Sequence, residues 1–141
     1  YTAGGDEGII DGLRGTTDWR KGYWQGYQSQ DFEAVIDLGE AKEVSKLGAG
    51  FLQDVGAWVL FPKKVEFEIS IDGKKYSRAA AIENKIPDND LKVQTNDFVQ
   101  TISKQKARFV KIKAINYGKL PKWHQGAGGD AWIFTDEIMI Q

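Results

Sequence analysis

The chain has 141 residues, with 19 Lys and Arg against 20 Asp and Glu, one His and no Cys, for a formal net charge of −1. One domain is the simplest division, long enough to bury roughly two-thirds of its unfolded surface without covalent staples. The balanced charge carries no electrostatic footprint for nucleic acid or anionic lipid. No window approaches the ~20 apolar residues of a membrane span, and the missing cysteines exclude thiolate metal sites and thiol nucleophiles.

No secretory leader is visible, and the start on Tyr1 rather than Met points to an excised piece of a longer protein. Ile9-Ile10 runs into Asp11-Gly12, and Leu13, Gly15, Thr16 and Thr17 follow before Trp19. The Asp11 carboxylate, nearby carbonyls and two hydroxyls form a run of hard oxygens that suits a cation such as calcium. The same residues equally describe an ordinary Asp-Gly turn leaving a strand. Residues 12–31 then read as one long loop rich in glycine and aromatics, with Arg20, Tyr23, Trp24 and Tyr27.

Phe32–Gly39 alternates and ends at a glycine turn, and Val44–Gln53 follows as a glycine-bearing strand. Val65–Ile71 is the cleanest alternation, with Val65, Phe67, Ile69 and Ile71 on one side and Glu66, Glu68 and Ser70 on the other. Asp72-Gly73 closes it as a hairpin turn, and Tyr76 begins the return. Residues 82–96 are polar and read as a loop, and Phe98–Ile102 as a short strand. Ala107–Ile115 alternates again, Tyr117–Ala131 is a glycine-rich loop, and Trp132–Ile140 is the last strand. No helical period is sustained, so short strands with glycine turns predict an antiparallel sandwich or barrel.

Strand parity then places the connections 39–44, 72–75 and 103–107 at one end. Connections 12–31, 53–62, 82–96 and 117–131 share the other, with Trp19, Tyr23, Trp24, Tyr27, Trp58, Tyr117, Trp123 and His124. Loops gathered on a rigid sheet make a binding face. A flat aromatic that stacks on a C–H face, with fixed polar groups to read hydroxyls, suits a sugar ring. Trp24, Tyr23, Trp58 and Trp123 are the stacking candidates, Trp24 the best exposed; Arg20, Asp18, Lys122, His124 and Asp130 are the polar ones. Trp19 and Trp132 abut strands and read as core, Trp58 suits either role, and His124 either reads a ligand or pins its loop.

Catalytic patterns are missing. Asp136 and Glu137 are adjacent on a strand and point to opposite faces, which separates them rather than pairing them around a bond. There is no Gly-x-Ser-x-Gly elbow, no phosphate loop, and no second histidine for a metal triad.

Taken in order, Ile10-Asp11-Gly12 through Thr16 and Trp19, Phe32–Gly39, Val65–Gly73, Ala107–Ile112 and Asp136-Glu137-Ile138 resemble the discoidin, or coagulation factor 5/8 type C, domain. Within that group the chain is most similar to bacterial carbohydrate-binding modules of family 32. Lys122–Trp132 resembles modules appended to hexosaminidase-like glycoside hydrolases. The resemblance spans nearly the whole chain and implies an all-β, eight-stranded antiparallel jelly-roll-like β-sandwich. It implies one structural calcium held by the Asp11 carboxylate, the Thr16 hydroxyl and carbonyl, the Glu137 carboxylate and the carbonyls of Gly8, Leu13 and Asp136. The turn to Trp19 is one residue longer than the family pattern, so Thr17 can stand in for Thr16.

The function implied is a non-catalytic carbohydrate-binding module that brings a glycoside hydrolase in the same chain to glycans of galactose or N-acetylhexosamine type. Its setting would be extracellular, periplasmic or at the cell surface, without membrane insertion. The alternative is a structural or protein-interaction domain that packs against its neighbour and binds no sugar.

Overall fold

The computed structural model describes Ile10, Gly12, residues 14–22 and residues 24–141. Gly8, Asp11, Leu13 and Tyr23 lie outside the described residues. Among the described residues, six strands form one antiparallel sheet: β1 (Gln25–Gln28), β2 (Phe32–Gln53), β3 (Lys64–Ser70), β4 (Ser77–Glu83), β5 (Gln94–Ala114) and β6 (Trp132–Ile140), in the order β1-β6-β2-β5-β3-β4.

The seven segments read as strands reduce to five, and β1, inside the connection read as 12–31, brings the count among the described residues to six rather than eight. The segments read as 32–39 and 44–53 are one strand, and so are 98–102 and 107–115. β2 pairs with β5 through most of its length, from Phe32↔Ala114 to Gln53↔Gln94, with register shifts between Asp37 and Lys42 and between Val44 and Lys46. The first shift carries extra residues in β2 and the second in β5, irregularities that bend a strand, and the pairing resumes beyond each, so the ladder continues through the corner. Gly39 takes φ +87 at this bend and its N–H donates to Asp37 Oδ1 at 2.8 Å. A side chain at that φ would be strained, so the glycine that resembled a strand end is a corner.

Each long strand therefore contributes to two leaves. The first holds β1, β6, the second half of β2 and the first half of β5. The second holds the first half of β2, the second half of β5, β3 and β4. Phe51 and Ile133 of the first leaf join Val65, Phe67, Val110 and Ile112 of the second in one buried core. Each fully buried residue of this size contributes about 1.5–3 kcal/mol. The outer positions of β3 carry Glu66, paired with Lys64 (2.9 Å) and Arg78 (3.3 Å). Ile71, expected to face inward, lies past the end of β3 and is 55% exposed.

The first leaf has a second apolar face. Leu52 and Phe134 alternate with Phe51 and Ile133 and so point away from the main core, where they cluster with Val59 and Trp24. Residues 14–22 and Trp24 cover this face as a strap. Arg14 is paired with Asp97 and with Asp136 (Nε to Oδ2, 2.9 Å), and Gly15 N–H donates to Asp136 Oδ2 at 3.0 Å. Trp19 meets Phe134 edge-on at 5.5 Å, and the Trp24 indole N–H donates to the Thr16 carbonyl at 2.9 Å.

Candidate functional site

The strand directions fix which connections meet. Residues 38–43, 71–76 and 102–108 lie at the corner end, and residues 54–63, 84–93 and 115–131 at the opposite rim, as parity predicts. The connection read as 12–31 is the exception. β1 divides it, because the polar Gln25-Gly26-Tyr27-Gln28 segment pairs with residues 132–135 of β6. Trp19 and Trp24 consequently belong to the strap on the sheet's outer face, and Trp24, expected to be exposed, is 2% exposed and offers no face to a ligand.

Two of the three rim loops are locked through Trp58 and His124. Residues 54–58 form a 3-10 turn that ends with Trp58 in the left-handed region at φ 69. Its indole lies across the third loop so closely that a Cβ on Gly126 would sit 2.6 Å from the ring, and one on Gly129 also 2.6 Å. His124 is buried. Its Nε2 donates to the Val55 carbonyl at 2.6 Å, while Nδ1 accepts the Gly126 N–H at 2.8 Å. Both ring nitrogens are thus used by backbone, the loop-pinning role rather than the ligand-reading one. Val55, Leu60, Leu120 and Ala131 fill the space beneath. Lys119 pairs with Asp130 across the base of the loop at 2.5 Å, so Asp130 is already engaged. Trp123 stands at the surface, 50% exposed, with its ring 5.9 Å from that of His124, and Lys122 beside it is exposed.

The 84–93 loop is attached by a residue the sequence does not single out. Gln53 is 1% exposed; its Oε1 accepts the buried Phe61 N–H at 3.2 Å, and its Nε2 donates to the carbonyls of Pro87 (3.2 Å) and Asp90 (3.3 Å). Asn84 folds the loop onto itself through Ile86, accepting its N–H at 3.0 Å and donating to its carbonyl at 2.9 Å. The Tyr117 hydroxyl donates to Asp88 Oδ2 at 2.5 Å, and burial together with the Asp88 carboxylate pushes its pKa up to about 12. A cavity of about 210 Å³ opens among Gln53, Phe61, Lys63, Asn84, Ile86, Asp88 and Tyr117.

The remaining expected residues lie apart from this rim cleft. Arg20 is exposed on the strap, its guanidinium 4.6 Å from the Trp19 ring centroid and 3.8 Å from Asp18. Tyr27 is partly buried against Phe32 at 5.3 Å, and its hydroxyl donates to Gln25 Oε1. Trp19 and Trp132, expected as core, are partly buried and flank a slot of about 170 Å³ on the outer face with Phe134.

Of the expected metal ligands, Glu137 is 7% exposed and its Oε2 accepts the Gly12 N–H at 2.8 Å. Asp136 Oδ1 is buried without a hydrogen-bond partner among the described residues. Both Thr16 oxygens are used within the strap: Oγ1 lies 3.3 Å from the Asp18 N–H and the carbonyl accepts the Trp24 indole. No group of three or more His, Asp or Glu side chains placed to hold a metal occurs among the described residues.

An antiparallel sandwich with a loop-built rim at one end defines the class. The chain belongs to the F5/8 type C domain family, whose model matches residues 1–133. Comparison with curated protein sequences gave no match. Among solved structures, the module CpGH89CBM32-5 from Clostridium perfringens, in complex with GalNAc-β-1,3-galactose, is 19% identical with a TM-score of 0.60, over 99% of this chain and 85% of its own. CBM32-1 of a family 31 glycoside hydrolase from Clostridium perfringens is 20% identical, TM-score 0.57, over 99% and 86%. The CBM32 of AlyQ, in complex with 4,5-unsaturated mannuronic acid, is 14% identical, TM-score 0.56, over 96% and 84%. At these identities the likeness establishes the shared discoidin-like fold. No helix among the described residues is long and apolar enough to cross a membrane.

Proposed function

We propose that this domain is a non-catalytic carbohydrate-binding module that holds an appended glycoside hydrolase near glycans of galactose or N-acetylhexosamine type, outside the cytoplasm. The observation that carries the reading is the rim. Three long connections meet there, cross-linked by His124, Gln53 and the Tyr117–Asp88 bond, and they present the half-exposed Trp123. A rigid indole is a stacking surface that costs little entropy to order. Family membership and the glycans in two of the similar structures support the same reading. One stacked ring with a few solvent-competed hydrogen bonds corresponds to a Kd of roughly 0.1–1 mM for a single sugar.

Trp123 replaces Trp24 as the stacking face. A glycan array, followed by tryptophan fluorescence with galactose, N-acetylgalactosamine and N-acetylglucosamine, tests the reading. A response is expected, and Trp123→Ala should remove most of it at an unchanged melting temperature. Silence across the array would overturn it.

The reading includes a structural calcium beside the first turn. Its support is the placement of the buried Glu137 carboxylate, whose Oε2 accepts the Gly12 N–H and so lies beside that turn, where a hard anionic oxygen suits calcium. With both Thr16 oxygens engaged in the strap, Glu137 is the firmest ligand of the set.

A second reading, a surface that packs against a neighbouring domain, is favoured by Leu91, 67% exposed, and Val93, 37% exposed, on the 84–93 loop. A sugar-silent array together with protection of Leu91 in a longer protein would select it.

A further inference from the structure

The cleft beside Tyr117 carries chemistry that the exposed indole does not explain. Its walls come from three connections: Lys63 from the first, Asn84, Ile86 and Asp88 from the second, and Tyr117 from the third. Its volume, about 210 Å³, is below the ~300–1,000 Å³ of sites for drug-sized ligands and so suits one small ring. Asp88 lines the cleft and uses Oδ2 to accept the Tyr117 hydroxyl, which leaves Oδ1 able to accept. Lys63 carries its ammonium 5.9 Å from the Tyr117 ring centroid and enters no ion pair among the described residues. The Asn84 amide spends one N–H on the Ile86 carbonyl and retains the other. Ile86 and the Tyr117 ring supply apolar wall between these polar tips.

That combination discriminates by charge. A phosphate or carboxylate would lie against Asp88, and a simple cation against Lys63. A hydroxyl serves both, since it donates to a carboxylate oxygen and accepts from an ammonium. Two neighbouring hydroxyls can satisfy both groups at once while the C–H face of their ring covers the apolar wall. The site is also set before any ligand arrives, because Gln53 and Asn84 hold the 84–93 loop by four hydrogen bonds and a fifth ties Gln53 to the Phe61 N–H, and preorganisation removes part of the entropy cost of binding.

We propose that the Lys63–Asp88–Tyr117 cleft is a subsite for one neutral sugar ring, read through a vicinal pair of hydroxyls, with Asp88 accepting, Lys63 donating and Tyr117 with Ile86 forming the apolar wall. The proposal rests on the glycan-binding reading and adds to it a second point of contact, separate from Trp123.

The test is an amide chemical-shift titration of the full chain with galactose, N-acetylgalactosamine, N-acetylglucosamine and, separately, inorganic phosphate. The expected result is saturable shifts at Lys63, Asp88 and Tyr117 with at least one neutral sugar and none with phosphate. Lys63→Met and Asp88→Asn should each weaken that sugar by about tenfold, the loss of one charge-assisted hydrogen bond, with the melting temperature of Lys63→Met unchanged. Sugar-induced shifts confined to Trp123 and Lys122, with both variants binding as the parent does, would overturn the subsite and leave the module reading standing. Phosphate binding in the cleft would overturn the neutral-ligand assignment. If no sugar shifts any amide, the subsite and the module reading fall together.

Discussion

Gln53→Met removes three hydrogen bonds from the base of the rim while preserving the length and volume of the side chain. The Phe61 N–H then loses its acceptor in a buried setting, and an unsatisfied buried donor costs about 1–3 kcal/mol. The Pro87 and Asp90 carbonyls lie in partly buried bonds that water can replace, which adds about 1 kcal/mol between them. The expected loss of about 2–4 kcal/mol corresponds, for a domain of 141 residues, to a fall in melting temperature of about 6–15 °C. Hydrogen exchange should localise the effect to the Phe61 amide and to residues 84–93, with the corner end unchanged. Gln53→Glu supplies the internal control. Its carboxylate keeps an acceptor for Phe61 but sets a negative charge against two carbonyls, so its pKa in the fold is raised. Its destabilisation should therefore lessen as pH falls, because the protonated acid can donate again. A melting temperature within about 2 °C of the parent for Gln53→Met, with unchanged exchange at Phe61, would refute the claim that this residue joins the loops.

Three further outcomes can be measured on the same protein. Gly126→Ala places a Cβ 2.6 Å from the Trp58 ring, so about 1–3 kcal/mol of stability should be lost and tryptophan emission should change; unaltered emission would mean that Trp58 does not lie on this loop. Tyr117 should ionise only near pH 12 in an absorbance titration at the phenolate band, while Tyr117→Phe loses that late step. Because the folded pKa lies above the ordinary value of about 10, this contribution to stability is fully present below pH 10 and is lost as pH rises from there through about 12. For the proposed calcium, EDTA should lower the melting midpoint and added calcium restore it, by about 2.7 kcal/mol at a hundredfold excess over Kd, and a midpoint indifferent to both would remove the ion.

The strands that could be read from sequence are those whose burial alternates with the residue period. Val65, Phe67 and Ile69 are buried and Glu66 and Glu68 are not, because β3 has a core on one side and water on the other. β1 was unreadable for the opposite reason. It is an edge strand of polar residues whose glycine, Gly26, lies so close to Phe134 that a Cβ would meet that ring at 2.4 Å. Its place in the sheet is set by β6, more than a hundred residues away. The bends in β2 and β5 resemble turns locally, since glycine and a run of charged residues serve a corner as well as a loop end. Only the pairing partner reveals that the ladder goes on.

Aromatic residues were the least transparent, and the reason is physical rather than statistical. An indole among polar neighbours is exposed only if nothing apolar awaits it. Trp24 is drawn inward because the outer side of the first leaf presents Leu52, Val59 and Phe134, a face that a lone sheet would leave in water. Trp58 is held by glycines that approach it from a loop nearly seventy residues downstream, and His124 spends both nitrogens on backbone. Each residue consumed in this way makes the rim stiffer and leaves fewer groups to meet a ligand. A weak ligand can be recognised only by groups already in place, because its small binding energy cannot also order three loops. On the proposed glycan-binding reading, the structural employment of Trp58, His124 and Gln53 is the condition under which Trp123, Lys63 and Asp88 would meet a sugar, and disturbing any of the first three should then weaken sugar binding without touching the sugar.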